Sequence, residues 1–568
     1  MKRLRWLFLS ALFLCHGHAA AEGLRVRLWS QHSPVSVQLT AAPKLELRRC
    51  TSCALVPGDE FRIVARGNAV AAGALRGSRL LAKGSYTLTV EGHAVQLCWP
   101  LEITAQAGLL HLTAELPIED YVAAVLAGEA GNMRSPEALK AMAVVARSYA
   151  VHFRGRHSAQ GFDVCDSTHC QIMRPSQLSD RVRAAAEATQ GELLWFRGTT
   201  VAAYYHKDCG GSTEQSGEDL LGTAPAVPYL TQHSDPWCQR RGGSGWQSRL
   251  HKAEIAEALR AAGIRTPRKI EHIAIIERSS SGRVRRLRLD GQLAATVDEA
   301  VFYRAIGMSL GWNSIRSDLY EIEDQGESVV LRGRGEGHGV GLCQAGAETM
   351  GEEGHGYAEI LAFYYPHTSL GVTAQGLSWT KMSGDRFDLM TAMPEKDRSA
   401  IGLAAKALRE AEERSGLRLE QVITLRVYPT VAAFRDATGE PGWVAASTRG
   451  TTIRLQPLEN LQRTRSLASV LRHEFLHLLV ESRARSGTPL WLREGLVLWL
   501  NGDRMELPAT RMSEAEIERQ LEAPASQQQL RSAYAAAEQR VAKLSHHYGG
   551  PAVIGWLSSG LPPGLTAR

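Results

Sequence analysis

The sequence predicts an α+β protein in which a mixed, β-rich and helical module is followed by a mostly helical module. Short segments of alternating character, separated by Gly, Pro and Asn, fill residues 23–115, as in Leu24–Leu28 and Tyr86–Val90. Helical periodicity begins after Leu116. From about residue 385 long helical patterns without cysteine take over. These changes predict a leader at 1–21, a β-rich part at 22–110, a core at 111–378, a linker near 376–384 and a second module at 385–568.

Composition excludes several classes of protein. The chain has 568 residues, enough for roughly three to four domains of about 150 residues each. Its 65 Lys and Arg against 59 Asp and Glu leave a formal charge of +6, too even for a dedicated nucleic-acid binder. No apolar stretch of about 18 residues follows the N-terminus, so no integral membrane span is expected after leader removal.

The first 21 residues have the three parts of a secretory signal peptide. A positive, an apolar and a small-residue stretch follow one another as Lys2–Arg5, Trp6–Cys15 and Ala19–Ala21. A short membrane anchor is the alternative, although the apolar part is too short to span a bilayer. We therefore expect a secreted or periplasmic protein whose mature chain starts near Glu22.

Eight cysteines remain after removal of the leader, and an oxidising compartment favours disulfides among them. Connectivity cannot be read from one sequence. The working expectations are a Cys209–Cys238 bond and a bond from Cys98 to Cys50 or Cys53.

Several elements have clear local signals. Ser135-Pro136-Glu137 combines an N-cap, a proline at the first helical position and an early acid. The apolar stripe of the helix that it starts is Leu139, Met142, Val145, Tyr149 and Phe153. Other predicted helices are 253–263, 298–306, Ala400–Ser415, Leu467–Val480 and Ser513–Leu521, with strands at Arg285–Leu289 and Ser328–Leu331.

The strongest local chemical motif is His473-Glu474-Phe475-Leu476-His477, an HExxH sequence on a predicted helix. The two histidines lie one turn apart on the same face, where they can share one Zn²⁺ while Glu474 acts as general base. Catalytic zinc needs a third protein ligand, and Glu494 in the following Trp-Leu-Arg-Glu-Gly segment is the candidate. A helix with surface histidines is the structural alternative.

This half resembles the gluzincin metallopeptidases, in particular small peptidase-MA-like domains with HExxH followed by a Trp-Leu-x-Glu-Gly helix. The resemblance implies catalytic zinc held by His473, His477 and Glu494, and a peptide or protein substrate. Tyr534 falls where this group often has a helical tyrosine, in a packing role or in transition-state support.

Three segments stand out in the longer, first half. They are Leu116–Glu129 with the helix that follows it, Tyr204–Glu214 around a Cys-Gly-Gly, and Gly333–Ala347. A dinucleotide fingerprint fails in the third, because His338 stands where the last glycine is needed. Glycine alternation there instead predicts an extended backbone with one bare face that another chain or a ligand approaches closely.

Together these segments resemble the SpoIID/LytB family, named for stage II sporulation protein D and an amidase enhancer. The resemblance implies lytic transglycosylation of peptidoglycan glycan strands stripped of stem peptides, leaving a 1,6-anhydro-muramic end. One carboxyl protonates the leaving oxygen and then serves as base, so no paired carboxylate is needed. Glu129 matches the family's acid, with a solvated loop glutamate as the alternative. His206, His338 and Gln344 are candidates for substrate binding or for shaping the site.

A possible second zinc site lies at Cys165-Asp166-Ser167-Thr168-His169-Cys170. Similar proteins carry zinc in a Cys/His cluster here, which implies Cys165, His169 and Cys170 as ligands, with His157 or His206 as the fourth. Such a zinc would be structural. A Cys165–Cys170 disulfide is the alternative.

The sequence thus predicts a two-enzyme, cell-wall-associated protein. A rival prediction makes the first module a non-catalytic partner that enhances a separate amidase, fused to an active metallopeptidase. The two predictions differ in whether Glu129 is needed for glycan cleavage.

Overall fold

The computed structural model confirms a mixed α+β architecture. It describes residues 11–12, 23–51, 53–217, 225–242, 244–291, 294–373, 379–438, 440, 442, 444–464, 467–485, 487–502, 512–522 and 526–562. The predicted signal peptide therefore lies outside the described residues, apart from the two-residue strand Ala11–Leu12. Among the described residues, no helix is both long enough and apolar enough to cross a membrane.

Internal contacts divide the chain into two units. The first unit comprises Met1–Asp120, Gly155–Cys170 and Leu377–Arg568, and the second comprises Tyr121–Arg154 and Gln171–Gly376.

The first part of the first unit is a large, mainly antiparallel sheet, as the alternating pattern predicts. Its strands bury alternate residues, as in Leu109–Leu116, so one face forms a core. In spatial order the described strands are Val164–Cys165, Leu24–Leu28, Leu109–Leu116, Leu101–Gln106, Arg79–Val90, Ser36–Arg48, Glu60–Arg66, Ala69–Ala72 and Leu75–Gly77, with His93–Leu97 paired to Arg79–Val90. Val164–Cys165 joins the edge in parallel to Leu24–Leu28 and is followed by the predicted Cys/His segment.

The C-terminal part of the same unit contains more sheet than the mostly helical prediction allowed. Its described strands, in spatial order, are Ala11–Leu12, Ala446–Arg449, Thr452–Leu455, Ile423–Val427, Phe387–Thr391 and Thr380–Ser383. The strand Thr452–Leu455 alternates polar and apolar residues but has only four of them, all buried, and so short a run is a weak strand signal in the sequence. The helices are Pro394–Asp397, Ala400–Ser415, Val431–Thr438, Leu458–Thr464, Leu467–Arg483, Leu490–Asn501, Glu514–Glu522, Gln527–Tyr548 and Gly550–Ser559.

The second unit is built around the predicted helix Pro136–His152. Ser135 caps it by accepting a hydrogen bond from the Ala138 N–H at 3.3 Å, and the apolar stripe is buried through Tyr149. The other helical elements of this region are Ile118–Glu129, which begins in the first unit, and Pro175–Gln177, Asp180–Ala188, Pro236–Arg240, Gln344–Glu352 and Tyr357–Tyr364. Short sheets pair Leu193–Phe196 with Thr199–Thr200 and Ser369–Gly371, and Tyr205–His206 with Leu342–Cys343.

A compact α+β segment with its own apolar core lies within this unit. Residues such as Phe302, Leu287 and Leu331 form that core. Its strands are Gly245–His251, His272–Arg278, Val284–Asp290, Ala295–Asp298, Tyr320–Gln325 and Ser328–Arg334, and its helices are Lys252–Ala261 and Glu299–Leu310. The predictions for this segment are confirmed to within a few residues.

The predicted extended backbone for the glycine run is wrong. Gly335, Gly337, Gly339 and Gly341 have φ values of 83°, 101°, 81° and 74°, in the left-handed region that favours glycine. The predicted close approach is present: a Cβ on Gly341 would lie 2.0 Å from the Tyr204 carbonyl oxygen. The run is therefore a tightly turning loop packed on the segment that contains Tyr204.

The cysteine pairing also differs from the expectation. Cys50 and Cys53 are bonded to each other, so neither bonds Cys98. Cys209 and Cys238 are close but not bonded, and both belong to a buried cluster with a third cysteine. Cys165 and Cys170 are likewise unbonded and share a cluster with two histidines.

Candidate functional site

Glu129 is the last residue of the helix Ile118–Glu129, where its side chain is half-buried. Gly128 lets this helix end approach the next segment, since a Cβ there would lie 2.3 Å from the Ile172 carbonyl oxygen. The Ile172 N–H donates to Glu129 Oε1 at 2.7 Å. This single backbone contact fixes the carboxyl at the helix end.

The environment of Glu129 favours its protonated form. Burial raises the pKa of Glu129 above its ordinary value. Hydrogen bonds from the Ile172 N–H and the Tyr205 hydroxyl lower this pKa, but the effect of burial is larger. A carboxylic acid whose pKa is raised keeps its proton to higher pH than an ordinary one, which suits it to protonate a leaving group. Glu129 therefore combines a fixed position with a raised pKa.

A chain of side-chain hydrogen bonds leads away from Glu129 through Tyr205. The Gln171 amide donates to the Tyr205 oxygen at 3.3 Å, and Tyr121 donates to the Gln171 carbonyl oxygen at 3.1 Å. Burial, followed by the nearby Glu129 charge, raises the pKa of Tyr205 well above its ordinary value. Tyr205 therefore remains a hydrogen-bond donor to the carboxyl. Sequence reasoning did not single out Tyr205; its position next to His206 in a chosen motif was the available clue.

Gln344 contacts the Glu129 main chain. Its Nε2 donates to the Glu129 carbonyl oxygen at 3.2 Å, from the first residue of the helix Gln344–Glu352. This places the third sequence motif directly against the first. The contact makes Gln344 a positioning residue for the helix end.

His206 and His338 form a separate pair. Successive side chains of a strand point to opposite faces, so His206 faces away from the side on which Tyr205 contacts Glu129. The His206 and His338 rings lie 5.7 Å apart, and the main chain of Val340 contacts both: its carbonyl oxygen is 3.1 Å from His206 Nδ1, and its N–H donates to His338 Nδ1 at 3.1 Å. His206 is only 4% exposed, and burial lowers its pKa well below the ordinary value. This leaves His206 little surface for a substrate and indicates that it shapes the glycine loop; half-buried His338 retains more surface.

The Cys/His segment gathers four potential metal ligands in the first unit. His157, Cys165, His169 and Cys170 place donor atoms within 4.8 Å of one another, and His157 rather than His206 is the fourth member. Cys170 Sγ lies 3.4 Å from His157 Nε2 and 3.7 Å from His169 Nδ1, and Cys165 Sγ lies 3.8 Å from His169 Nδ1. Ligands of tetrahedral Zn²⁺ are about 3.3–3.8 Å apart when metal–ligand distances are about 2.0–2.3 Å. The donor set and spacing therefore fit zinc.

The HExxH helix is Leu467–Arg483, and it brings its two histidines together. His473 Nε2 and His477 Nε2 are 3.0 Å apart, and His477 Nε2 lies 3.9 Å from Glu494 Oε2 on the helix Leu490–Asn501. Glu474 is fully buried and accepts a hydrogen bond from the Thr448 hydroxyl at 2.6 Å. Two imidazoles and a carboxylate are the donor types of a His₂Glu metal site.

The protonation of this site follows from its burial. Burial raises the pKa of Glu494 to about 8 and lowers that of His477 well below its ordinary value. Burial raises the pKa of Tyr534 well above its ordinary value, and the charge of Glu494 raises it further. Neutral imidazole is the form that binds a metal.

Comparison with known proteins gives a family match for part of the first half. Residues 106–196 match the family model described as Stage II sporulation protein, called SpoIID, and residues 239–341 match a domain of unknown function, DUF8618. The matched range 106–196 includes Glu129, so this part of the chain is similar to the SpoIID family. The HExxH segment lies outside both matched ranges.

Two of the similar proteins have names that belong to the same family. An uncharacterized protein of Brachyspira hyodysenteriae is 32% identical over 253 residues, which are 44% of this chain and 66% of that protein. Stage II sporulation protein D of Bacillus subtilis is 27% identical over 273 residues, 45% of this chain and 74% of the relative. The Bacillus subtilis amidase enhancer is 26% identical over 285 residues, 42% of this chain but only 38% of the relative. The matches thus span less than half of this chain.

Proposed function

We propose that the first module cleaves peptidoglycan glycan strands by lytic transglycosylation, with Glu129 as the catalytic acid and base. The observation that carries this proposal is the half-buried carboxyl of Glu129, held by the Ile172 N–H and with a raised pKa. The relatives named for sporulation protein D and amidase enhancement support action at the cell wall. A secreted or periplasmic, wall-associated location follows from this role.

The reaction needs one carboxyl. Protonated Glu129 donates its proton to the glycosidic oxygen as the bond to muramic C1 breaks. The resulting carboxylate then takes the proton of the muramic 6-hydroxyl as that oxygen bonds C1, which closes the 1,6-anhydro ring and regenerates the acid. Tyr205 stabilises the carboxylate between the two steps, and Gln344 holds the helix end.

The alternative is a non-catalytic module that activates a separate amidase, as one relative's name describes for that protein. Incubation of the full chain with intact and with amidase-stripped sacculi separates the two. We expect anhydro-muramic products from stripped strands without any added enzyme. Intact glycan, together with faster stem-peptide release by an added amidase, would establish the enhancer role instead.

A second proposed activity belongs to the C-terminal part, where His473 lies next to His477 and His477 lies near Glu494. We propose a zinc-dependent peptidase with these three as ligands and Glu474 as general base. Bound zinc would activate water and polarise the peptide carbonyl. Peptide turnover and zinc content of the full chain, compared with a His473→Ala variant, test this activity.

We also propose that His157, Cys165, His169 and Cys170 hold a structural zinc. The four donors fill a tetrahedral set, which leaves no open position for a substrate. This zinc would fix the segment that follows the strand Val164–Cys165.

A further inference from the structure

The second unit contains another cluster of thiols that neither of the proposed activities uses. Cys209, Cys238 and Cys343 come from three separate segments and meet the carboxyl group of Asp235. All four side chains are fully buried, and their donor atoms lie within 4.8 Å of one another. Cys209 Sγ is 3.3 Å from Asp235 Oδ2.

We propose that Cys209, Cys238, Cys343 and Asp235 form a structural site for a thiophilic divalent cation, with Zn²⁺ as the best fit. Three thiolates favour a soft or borderline metal, and a carboxylate oxygen is an accepted fourth ligand of tetrahedral zinc. The 3.3 Å separation between sulfur and oxygen is one that two ligands of the same zinc ion show, since such ligands lie about 3.3–3.8 Å apart.

The number of thiols argues against a disulfide. Any bond between two of them would leave the third buried as a thiol beside the Asp235 carboxyl. None of the three is bonded in the structure. A shared cation uses all three sulfurs at once.

The backbone around the cluster is arranged to stabilise thiolates. The N–H of Cys209 donates to Cys343 Sγ at 3.2 Å, and the N–H groups of Gly211 and Gly346 donate to Cys209 Sγ and Cys343 Sγ at 3.4 Å each. Amides directed at sulfur offset the charge that a thiolate brings into a buried site. Gly346 also leaves space, because a Cβ there would lie 2.5 Å from an Asp235 oxygen.

Further contacts fix the orientation of the Asp235 carboxyl. Its Oδ1 accepts from the Cys238 N–H at 2.9 Å, and its Oδ2 accepts from the Tyr364 hydroxyl at 2.8 Å. Such hydrogen bonds orient metal-binding carboxylates in known sites. Asp208 is the nearest competing carboxylate, 3.1 Å from Cys238 Sγ, but its oxygens also accept from the Gly210 and Ser244 amides.

The thiol cluster is adjacent in sequence and in strand pairing to the two residues, Tyr205 and Gln344, that contact Glu129. Cys343 directly precedes Gln344, and the parallel pairing places it opposite His206, next to Tyr205. A metal at this point would tie the segment that contains Tyr205 to the segment that contains Gln344. The site would therefore hold together two of the residues that position Glu129.

Metal analysis of the full chain tests the proposal. We expect Cys343→Ser and Cys238→Ser each to lower the zinc content by one ion per chain relative to wild type. Cys98→Ser is the matched control, because Cys98 belongs to neither cluster, and it should leave the zinc content unchanged. Unchanged zinc in both cluster variants would overturn the proposal.

A second variant covers the case in which these replacements prevent folding. The double variant His169→Ala/His473→Ala disables the two other proposed sites and leaves this cluster intact. We expect it to retain one zinc per chain with mainly sulfur ligands in X-ray absorption. Absence of zinc, or a disulfide-linked peptide among Cys209, Cys238 and Cys343 in non-reducing mass spectrometry, would contradict the site. None of these readouts depends on glycan cleavage, so the proposed activity can fail independently.

Discussion

The backbone N–H of Ile172 donates to the carboxyl of Glu129 at 2.7 Å. The end of the Glu129 helix can lie this close to Ile172 because residue 128 is a glycine, whose position leaves no room for a Cβ. This contact orients the carboxyl while burial keeps its pKa high. A fixed carboxyl that is readily protonated is the basis of the proposed glycan chemistry.

The pH dependence of glycan cleavage should respond to Tyr205. Cleavage needs protonated Glu129, so kcat/KM should fall as pH rises through the pKa of Glu129. Tyr205→Phe removes a hydrogen bond that stabilises the carboxylate, which raises that pKa and moves the fall to higher pH. Tyr121→Phe is the control, because its hydroxyl donates to Gln171 instead. A fall at the same pH in both variants would contradict the assigned contact.

Gly341→Ala should lower the free energy of unfolding by more than the cost of placing alanine in a left-handed backbone conformation. Both Gly341 and Gly354 have positive φ, which costs alanine about 1–2 kcal/mol. A Cβ at Gly341 meets the Tyr204 carbonyl oxygen, whereas nothing lies within 4 Å at Gly354. We expect denaturant unfolding to show a further loss of about 1–3 kcal/mol for Gly341→Ala over Gly354→Ala. Equal losses would show that the loop has room.

His157→Ala should remove one zinc ion and lower the melting temperature. The variant breaks the four-donor set with Cys165, His169 and Cys170, and structural zinc contributes directly to folding free energy. His93→Ala, at an exposed position in the same unit, is the control. A variant that keeps its full zinc content would contradict His157 as a ligand.

Glu474→Gln and His477→Ala should separate chemistry from metal binding in the C-terminal part. Glu474→Gln keeps the three ligands, so zinc should stay while peptide turnover falls by about 10²–10⁴-fold. His477→Ala should lose both zinc and turnover. Peptidase activity that survives in Glu474→Gln would argue against the base role.

Local structure was largely predictable, because it depends on local pattern. The helix Ala400–Ser415 has the predicted bounds, and Ser135 caps its helix as the N-cap signal indicates. Candidate site residues could be named from the sequence only where a motif contains them, as for Glu129 or His473, and their roles stay predictions. The thiol cluster joins Cys209 to a residue 134 positions away, and the Tyr205 contact depends on which face of a two-residue strand meets Glu129. Neither leaves a periodic or spacing signal in the sequence.

Replacement of Glu129 tests whether its carboxyl carries out glycan cleavage. Amidase-stripped glycan strands would be digested with wild type, Glu129→Gln and Glu119→Gln, a control on the same helix, and the products would be measured by mass spectrometry. Wild type and Glu119→Gln should both form 1,6-anhydro-muramic ends, and Glu129→Gln should form about 10²–10⁴-fold fewer. Undiminished cleavage by Glu129→Gln, or ordinary reducing ends formed by water, would contradict it.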